Sequence, residues 1–287
     1  MIVSGTVRAR IALRAAALGT AALAALTGCS STAGSRLPGP GYWTAQRLRG
    51  AQPWRAARHS GLPEPRSTPS PRENVRALRV GALFDSDNSG NHFCTASVVD
   101  SPEHNLLITA AHCVNAGNGT ASRTNVVFIP DYSNGDSPHG VWTPARYVLD
   151  PRWQNGADPD FDVAFVLLKP LNGSNIQDVT GANKIAFGTG YQHLVRVTGY
   201  PSSASAPIAC ENWTSQQSPT QLKFACANYT GGTSGSPWVT RFDPATRTGT
   251  IIGVIGGYQE GGNTADVSYC AYLGSDIQKL YKQATQS

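Results

Sequence analysis

A histidine, an aspartate and a serine of this chain stand in sequence contexts that suit each of them to a different part of one reaction. His112 follows Thr-Ala-Ala and precedes Cys113, Asp162 opens an apolar run, and Ser234 lies in Gly-Gly-Thr-Ser-Gly-Ser-Pro. A serine hydroxyl is a poor nucleophile at neutral pH unless a base lies within hydrogen-bonding distance and a third group orients that base. The three residues, in the order His, Asp, Ser, therefore predict acyl-transfer chemistry.

His112 is predicted to be the general base, because it alone among the histidines follows an apolar β-type run and precedes a cysteine. Asp162 is predicted to orient its ring. Asp158 and Asp160 are nearby alternatives, but they lie in a Pro-, Asn- and Gly-rich stretch where a carboxylate is usually a solvated turn residue. The remaining histidines are expected to be packed or surface side chains: His59, His92, His104, His139 and His193.

Ser234 is predicted to be the nucleophile. Gly232 lets the backbone turn so that its own N–H and that of Ser234 point at one spot, which would form an oxyanion hole. Ser236 is the one close alternative, and it lacks a glycine pair at the right offset. Taken alone, this run could be an ordinary Gly/Ser/Thr loop. The upstream histidine context makes the catalytic interpretation the stronger one.

From Val80 onwards, short β-type runs alternate with turn residues, and long helical patterns are absent. This pattern of short runs and turns is typical of an all-β barrel or sandwich. A Gly-, Asn- and Ser-rich stretch at 171–184 is predicted to connect two halves. One helix is expected at the C-terminus, capped by Ser275, with Ile277, Leu280 and Tyr281 at helical spacing.

The three contexts together resemble those of the chymotrypsin-like serine peptidases, and in particular the bacterial branch that includes glutamyl endopeptidases. The resemblance covers roughly residue 80 to the C-terminus. It implies an all-β fold of two six-stranded antiparallel β-barrels, at about 80–178 and 179–274, with a C-terminal helix at 275–285. It also implies a serine endopeptidase that cleaves polypeptides through an acyl-enzyme intermediate. No cofactor is expected, and we expect a monomer.

Six cysteines suit an exported chain better than a cytosolic one. The resemblance implies a Cys94–Cys113 disulfide beside the predicted base. Cys210 and Cys226 enclose a short loop and are a plausible second pair, although pairing of Cys226 with Cys270 stays open. No Cys-x-x-Cys or His/Cys cluster has the spacing of zinc ligands, so no metal site is predicted.

Specificity is predicted from residues that the resemblance places around the substrate. Neither an aspartate for Arg/Lys preference nor a histidine for Glu preference stands at the corresponding positions, so a small or apolar side chain is expected. Thr233 stands where the animal enzymes carry an aspartate that pairs with a newly cut N-terminal ammonium, and it cannot form that ion pair. The predicted substrate-binding residues are Asn228, Tyr229, Thr230, Ile255, Gly256 and Gly257.

The N-terminus is predicted to be a targeting segment. Residues 1–28 combine arginines with a short apolar stretch, which is typical of a signal peptide. The sequence Leu-Thr-Gly-Cys ending at Cys29 resembles a lipobox, which predicts lipidation of Cys29 and anchoring to a bacterial cell membrane, although an ordinary signal peptide with an incidental cysteine remains the alternative. Residues 29–79 are Pro- and Arg-rich, which predicts a disordered linker or pro-segment.

The overall net charge of +5 does not indicate a nucleic-acid partner. Residues 1–79 hold 12 of the 23 Lys and Arg residues and only two acidic ones, so the remainder is net acidic. Two other functions remain open at this point: an inactive peptidase-like binding module at the cell surface, and a hydrolase of small esters or amides. The sequence therefore predicts an extracytoplasmic protein, lipid-anchored or secreted.

Overall fold

The computed structural model describes residues 40–54, 68–87 and 89–286, and these form two seven-stranded sheets. The first sheet has the order β5-β2-β3-β4-β7-β6, with β1 paired to β3. Its strands are β1 (Gln52–Pro53), β2 (Val80–Asp87), β3 (Gly90–Val99), β4 (Leu106–Thr109), β5 (Val127–Pro130), β6 (Pro144–Leu149) and β7 (Ala164–Leu168).

The second sheet has the order β14-β11-β10-β9-β12-β13-β8. Its strands are β8 (Lys184–Ile185), β9 (Leu194–Gly199), β10 (Ile208–Ser218), β11 (Gln221–Ala225), β12 (Pro237–Asp243), β13 (Thr248–Val254) and β14 (Val267–Ala271). The four α-helices of the described residues are short: α1 (Ala45–Gly50), α2 (Pro151–Gly156), α3 (Ile176–Thr180) and α4 (Ser275–Thr285).

The predicted all-β, chymotrypsin-like fold with a C-terminal helix is confirmed. Within each sheet, six strands pair antiparallel, and one two-residue strand is added in parallel, β1 to β3 and β8 to β13. The sequence analysis did not predict these additions, because two residues are too few to give a periodic pattern.

Each sheet folds around its own apolar core. Leu107, Phe128 and Trp153 belong to the core of the first, and Val197, Phe224 and Trp238 to that of the second. A further cluster joins β4 and β7 to the inner face of α4, where Ile277 and Leu280 are buried. The side chains of these three clusters are aliphatic or aromatic apart from cysteines, so hydrophobic burial is the main force that fixes the strands around the site.

Helix α4 occupies the predicted span, but its cap differs from the prediction. Gly274 is the N-cap residue, Ser275 is the first helical residue, and no side-chain cap hydrogen bond forms. Asp276 in the first turn supplies negative charge near the helix N-terminus, where the backbone dipole favours it.

The predicted disordered linker at 29–79 is wrong for residues 68–79, where Arg72 pairs with Ala209 and Ala77 is buried. It is also wrong for residues 40–54, which we call the N-terminal segment. It contains α1 and β1, and Trp43, Leu48 and Ala51 are buried against Phe84 and Tyr132 of the first barrel and its rim. A segment this short cannot form a hydrophobic core by itself. Its apolar side chains are buried because they pack against the surface of the barrel. Composition alone does not show that surface.

The predicted signal peptide at 1–28 and the predicted lipidation of Cys29 lie outside the described residues. Within the described part of the chain, no helix combines the length and apolar character that crossing a membrane requires.

Candidate active site

Pairing of β4 with β7 brings His112 and Asp162 together. Thr109 at the end of β4 is the antiparallel partner of Ala164 at the start of β7. His112 lies just beyond the first of these strands, in the 3-10 turn Ala111–Cys113, and Asp162 lies just before the second. Register therefore places two residues fifty positions apart at the same sheet edge.

Three hydrogen bonds hold the Asp162 carboxylate. Oδ2 lies 2.8 Å from Nδ1 of the His112 ring and accepts the Gly257 N–H at 2.9 Å, while Oδ1 accepts the His112 backbone N–H at 2.9 Å. Asp162 is fully buried and His112 nearly so. Because a carboxylate accepts hydrogen bonds, Nδ1 carries a proton, and in the neutral form of the ring Nε2 is then the nitrogen with the free lone pair. Nε2 is buried and forms no hydrogen bond with any described residue.

Ser234 lies in a tight turn that precedes β12. Its carbonyl accepts the Thr95 N–H at 2.8 Å, and the next N–H, of Gly235, donates to Ile255 at 2.7 Å. Gly232 and Gly235 have φ values of 94° and 83°, and a Cβ at these positions would collide with the Phe93 ring and the Thr95 carbonyl. Both positions therefore require glycine.

The turn leaves two N–H groups available. Thr233 and Ser236 donate theirs to the carbonyls of Thr230 and Thr233, whereas those of Gly232 and Ser234 donate to no backbone carbonyl of the described residues. This is the arrangement that an oxyanion hole needs, with two donors that are not already satisfied within the turn.

Thr95 is a positioning residue that the sequence analysis missed. Its hydroxyl donates to the Gly232 carbonyl at 3.0 Å and accepts the Tyr200 N–H at 3.0 Å, and its carbonyl accepts the Thr109 hydroxyl at 2.7 Å. Thr95 is fully buried. The available signal was its place directly after Cys94, but a threonine in a strand is too common to single out without the fold.

The alternative nucleophile Ser236 and the alternative carboxylates Asp158 and Asp160 have other partners. The Ser236 side chain is buried against Gly199. A Cβ on Gly199 would collide with the Ser236 hydroxyl. Asp158 accepts the Asp160 N–H at the 3-10 turn Pro159–Phe161, and Asp160 accepts from the Gln221 amide at 2.7 Å.

The other described histidines also have partners away from the site. His104 pairs with the Asp178 carboxylate at 2.6 Å on the surface, and His193 contacts the Thr189 carbonyl at 2.9 Å. His92 contacts the Ser89 hydroxyl at 2.8 Å, and His139 lies 3.9 Å from the nearest carboxylate oxygen of Asp131. His59 lies outside the described residues.

The residues predicted to bind substrate divide into three pairs. Gly256 and Gly257 adjoin Asp162, and a Cβ on Gly256 would lie 3.0 Å from its carboxylate, so this backbone passes directly beside Asp162. Tyr229 and Ile255 are fully buried in the core of the second barrel.

Tyr229 directs its hydroxyl inward. That hydroxyl donates to the Val197 carbonyl at 2.7 Å, and burial raises its pKa above the usual range. Asn228, by contrast, is exposed, and Thr230 is half-buried. Of these four residues, only Asn228 and Thr230 present side chains to solvent.

Two disulfides brace the site, Cys94–Cys113 and Cys210–Cys226. Cys270 is free and buried, which resolves the pairing that the sequence left open. Cys94, His112 and Cys113 lie close enough together to resemble a metal-ligand set, but both sulfurs are bonded to each other. They offer no thiolate to a metal.

A two-barrel β fold that positions a buried His–Asp pair beside a glycine-framed serine is that of a chymotrypsin-like serine peptidase. The sequence model of the Trypsin family matches residues 74–272, and the chain belongs to that family. It is therefore a hydrolase of the peptidase class.

Solved structures agree. The protease Anisep from Arthrobacter nicotinovorans is 26% identical, with a TM-score of 0.66 over 76% of this chain and 99% of that one. The thermostable serine protease AL20 from an extremophilic microorganism is 30% identical, with a TM-score of 0.66 over 74% and 98%. A Glu endopeptidase, 16% identical over 76% and 96% with a TM-score of 0.59, shares the fold. No curated protein sequence matches the chain.

Proposed function

We propose that the protein is an exported serine endopeptidase in which Ser234, His112 and Asp162 act as a catalytic triad. The observation that carries the proposal is the 2.8 Å contact between Nδ1 of His112 and Asp162, which leaves Nε2 as an unpartnered acceptor. A base in this state accepts a serine proton, and a buried carboxylate stabilises the imidazolium that results.

The proposed reaction begins with the Ser234 hydroxyl. His112 Nε2 takes its proton while Oγ attacks the substrate carbonyl carbon, and the N–H groups of Gly232 and Ser234 donate to the developing oxyanion. Nε2 then gives that proton to the leaving amine, which breaks the C–N bond and leaves an acyl-enzyme. Water, deprotonated by the same nitrogen, releases the acid and regenerates the hydroxyl. Apo serine and histidine side chains often form their hydrogen bond only when substrate closes the site.

Substrate recognition is proposed to use the backbone of Gly256 and Gly257, with Asn228 and Thr230 at the mouth of the specificity pocket. The residues proposed to contact substrate carry no charge, and the Tyr229 and Ile255 side chains belong to the apolar core whose outer residues would form the walls of that pocket. A small or apolar residue before the scissile bond is the preference that such walls favour. Export is supported by the two disulfides, and an anchor at Cys29 is proposed from the lipobox-like sequence alone.

A fluorophosphonate, which phosphonylates an activated serine, tests the proposal by intact mass. The full chain and Ser236→Ala are each expected to gain one adduct, and Ser234→Ala none. Ser236→Ala is the matched control because it removes the neighbouring hydroxyl from the same motif.

Absence of an adduct on a folded, oxidised parent would contradict the proposal and favour a binding module. Labelling accompanied by cleavage of small esters but of no unfolded protein would favour the small-substrate hydrolase.

A further inference from the structure

The edge of β3 next to the nucleophile is where a substrate would continue beyond the scissile bond. Alternate residues of a strand direct their backbone groups to the same side, so Phe93 and Thr95 point the same way. The Thr95 N–H bonds the Ser234 carbonyl. The Phe93 carbonyl is thus the next acceptor along this edge. It lies two residues, or roughly 7 Å, from Thr95, which contacts Ser234.

This acceptor is already used by the N-terminal segment. The Trp54 N–H donates to the Phe93 carbonyl at 3.1 Å, and β1 pairs in register with β3, Gln52 opposite His92 and Pro53 opposite Phe93. The segment therefore lies on the edge of β3 immediately beside the site.

Several contacts hold the segment there. The Trp54 ring lies 3.1 Å from the Arg123 guanidinium carbon and 4.5 Å from the His92 ring, and Arg123 is itself held by Asp85 at 3.3 Å. Upstream, Leu48 is 3% exposed within the cluster on the barrel surface. Cation–π stacking and apolar burial together stabilise this placement.

The direction of the segment prevents it from acting as a substrate. The acyl half of a substrate would lie along Gly256 and Gly257, on the other side of Ser234, so its leaving-group half would run from Thr95 towards Phe93, antiparallel to β3. Strand β1 runs parallel to β3, which is the opposite direction. A chain bound in reverse does not present its carbonyl carbon to the nucleophile in the reactive orientation.

We propose that the N-terminal segment limits the leaving-group half of the substrate, so that the enzyme favours substrates with at most one residue after the scissile bond. The inference rests on the proposed function. A longer leaving group must displace Trp54 from Phe93 or forgo the backbone hydrogen bond there. Longer polypeptides remain substrates, but peptides cut near their C-terminal end and small amides of the same acyl chain are cleaved faster.

A cavity of limited volume adjoins the N-terminal segment and Phe93, as a short leaving group would require. A cavity of 340 Å³ lies between Gln52 and Pro53 on one side and Phe93, Tyr200 and Ser202 on the other. It is at the small end of ligand sites, which span about 300–1,000 Å³.

A series of peptides with one acyl half and leaving groups of zero to four residues tests the proposal on the parent protein. The zero-residue member is a chromogenic anilide. We expect kcat/KM to fall about tenfold between one and two leaving-group residues, as loss of one hydrogen bond and the cost of displacing Trp54 would give. A kcat/KM that stays level or rises with length would overturn the proposal.

Trp54→Ala removes the stacking on Arg123 and is expected to raise kcat/KM for the longest peptide about tenfold, with the anilide changed less than about twofold. Trp213→Ala, at an exposed tryptophan on β10, is the matched control and should change neither substrate. An equal rise for both substrates, or no change in a folded variant, would overturn the proposal.

The two proposals fail differently. No turnover of any peptide and no labelling of Ser234 would reject the triad. Labelling and anilide cleavage without a length effect would reject only the role of the N-terminal segment. If Trp54→Ala does not fold, the length series on the parent decides the question by itself.

Discussion

The hydroxyl of Thr95 touches none of the atoms proposed to react, yet it fixes the carbonyl of Gly232 and through it the direction of the proposed oxyanion donors. Thr95→Val keeps the shape of the side chain and removes that bond. We expect kcat to fall about tenfold to hundredfold, less than the 10²–10³ typical for loss of a donor itself, with KM nearly unchanged.

Steady-state kinetics check this expectation, with two further variants. Thr95→Ser should restore most of the activity because it restores the hydroxyl. Thr214→Val, which removes an equally buried hydroxyl that donates to Tyr191 in the second barrel, should leave kcat unchanged. A loss in Thr95→Val that appears in KM alone would argue for a general packing role.

Residues with proposed chemical roles could be selected from the sequence because their neighbours differ from those of ordinary residues of the same type. The structure brings together His112 and Asp162, which the motifs singled out. Thr95 and Gly257 act through backbone and hydroxyl bonds that exist only once two strands meet. A linear pattern carries no signal for such bonds, so Thr95 was not predicted at all and Gly257 was predicted to bind substrate but not to hold Asp162.

Cys270 gives a prediction about reactivity. Burial raises the pKa of its thiol to about 12, so little thiolate exists at neutral pH. We expect iodoacetamide at about pH 8 to leave Cys270 unmodified in the folded protein and to alkylate it after unfolding, because only the thiolate reacts. Peptide mapping of the Cys270 peptide before and after denaturation makes the measurement. Rapid labelling of the native protein would show that the thiol is accessible.

Among the elements, α2 carries the Trp153 ring that lies 6.4 Å from the ring of His112. Asp150 caps this helix and accepts from the Arg152 side chain at 2.8 Å. That bond is the main cause of the lowered pKa of Asp150. A carboxyl with a lowered folded-state pKa stabilises the fold above its unfolded pKa of about 3.9, and this contribution is lost as the pH falls through the folded-state value.

Asp150→Asn should therefore reduce the free energy of unfolding at neutral pH by about 1 kcal/mol or less, since Arg152 is half-exposed. The difference from the parent should shrink below about pH 4. Urea unfolding at the two pH values measures it. Asp276→Asn removes the more exposed partner of Arg152 and should have a smaller effect. A difference that grows in acid would contradict the assignment.

The bounds of α4 match the prediction because its apolar pattern is long. The predicted cap residue differs from the observed one because local backbone conformation determines where the helix begins. Gly274 rather than Ser275 is the cap because the chain is already extended there and no side-chain oxygen is needed to begin the helix. Strands β1 and β8 arise from pairing to existing edges. Pairing depends on the partner's exposed backbone groups, which the short segment itself does not encode.

At the scale of the whole molecule, the largest difference between expectation and structure is the N-terminal segment. Its Pro- and Arg-rich surroundings indicated disorder, yet Trp43 and Leu48 are nearly fully buried on the barrel. A composition window averages these two side chains with many polar neighbours. The apolar surface that receives them comes from Phe84 and Tyr132, which lie far along the chain.

The start of the first barrel argues against activation by a newly cut N-terminus. Val80 is buried in β2 and paired with Ser97, and its N–H donates to the Ala77 carbonyl at 2.7 Å. The Thr233 hydroxyl donates to Thr230 at 2.8 Å, so the position before the nucleophile is neutral and already satisfied. An ammonium at Val80 would have to leave the sheet and would find no carboxylate at residue 233.

We therefore expect the uncut chain to be active towards small substrates. Intact mass after fluorophosphonate treatment should show the adduct on protein that retains the bond between Arg79 and Val80, and Arg79→Gln, which protects that bond from cleavage after arginine, should label at the parent's rate. The physical reason is that Gly232 and Gly235 hold the oxyanion turn through glycine-only backbone angles and contacts with Thr95, none of which needs a new terminus. An adduct confined to protein beginning at Val80 would show that cleavage, by another route, completes the site.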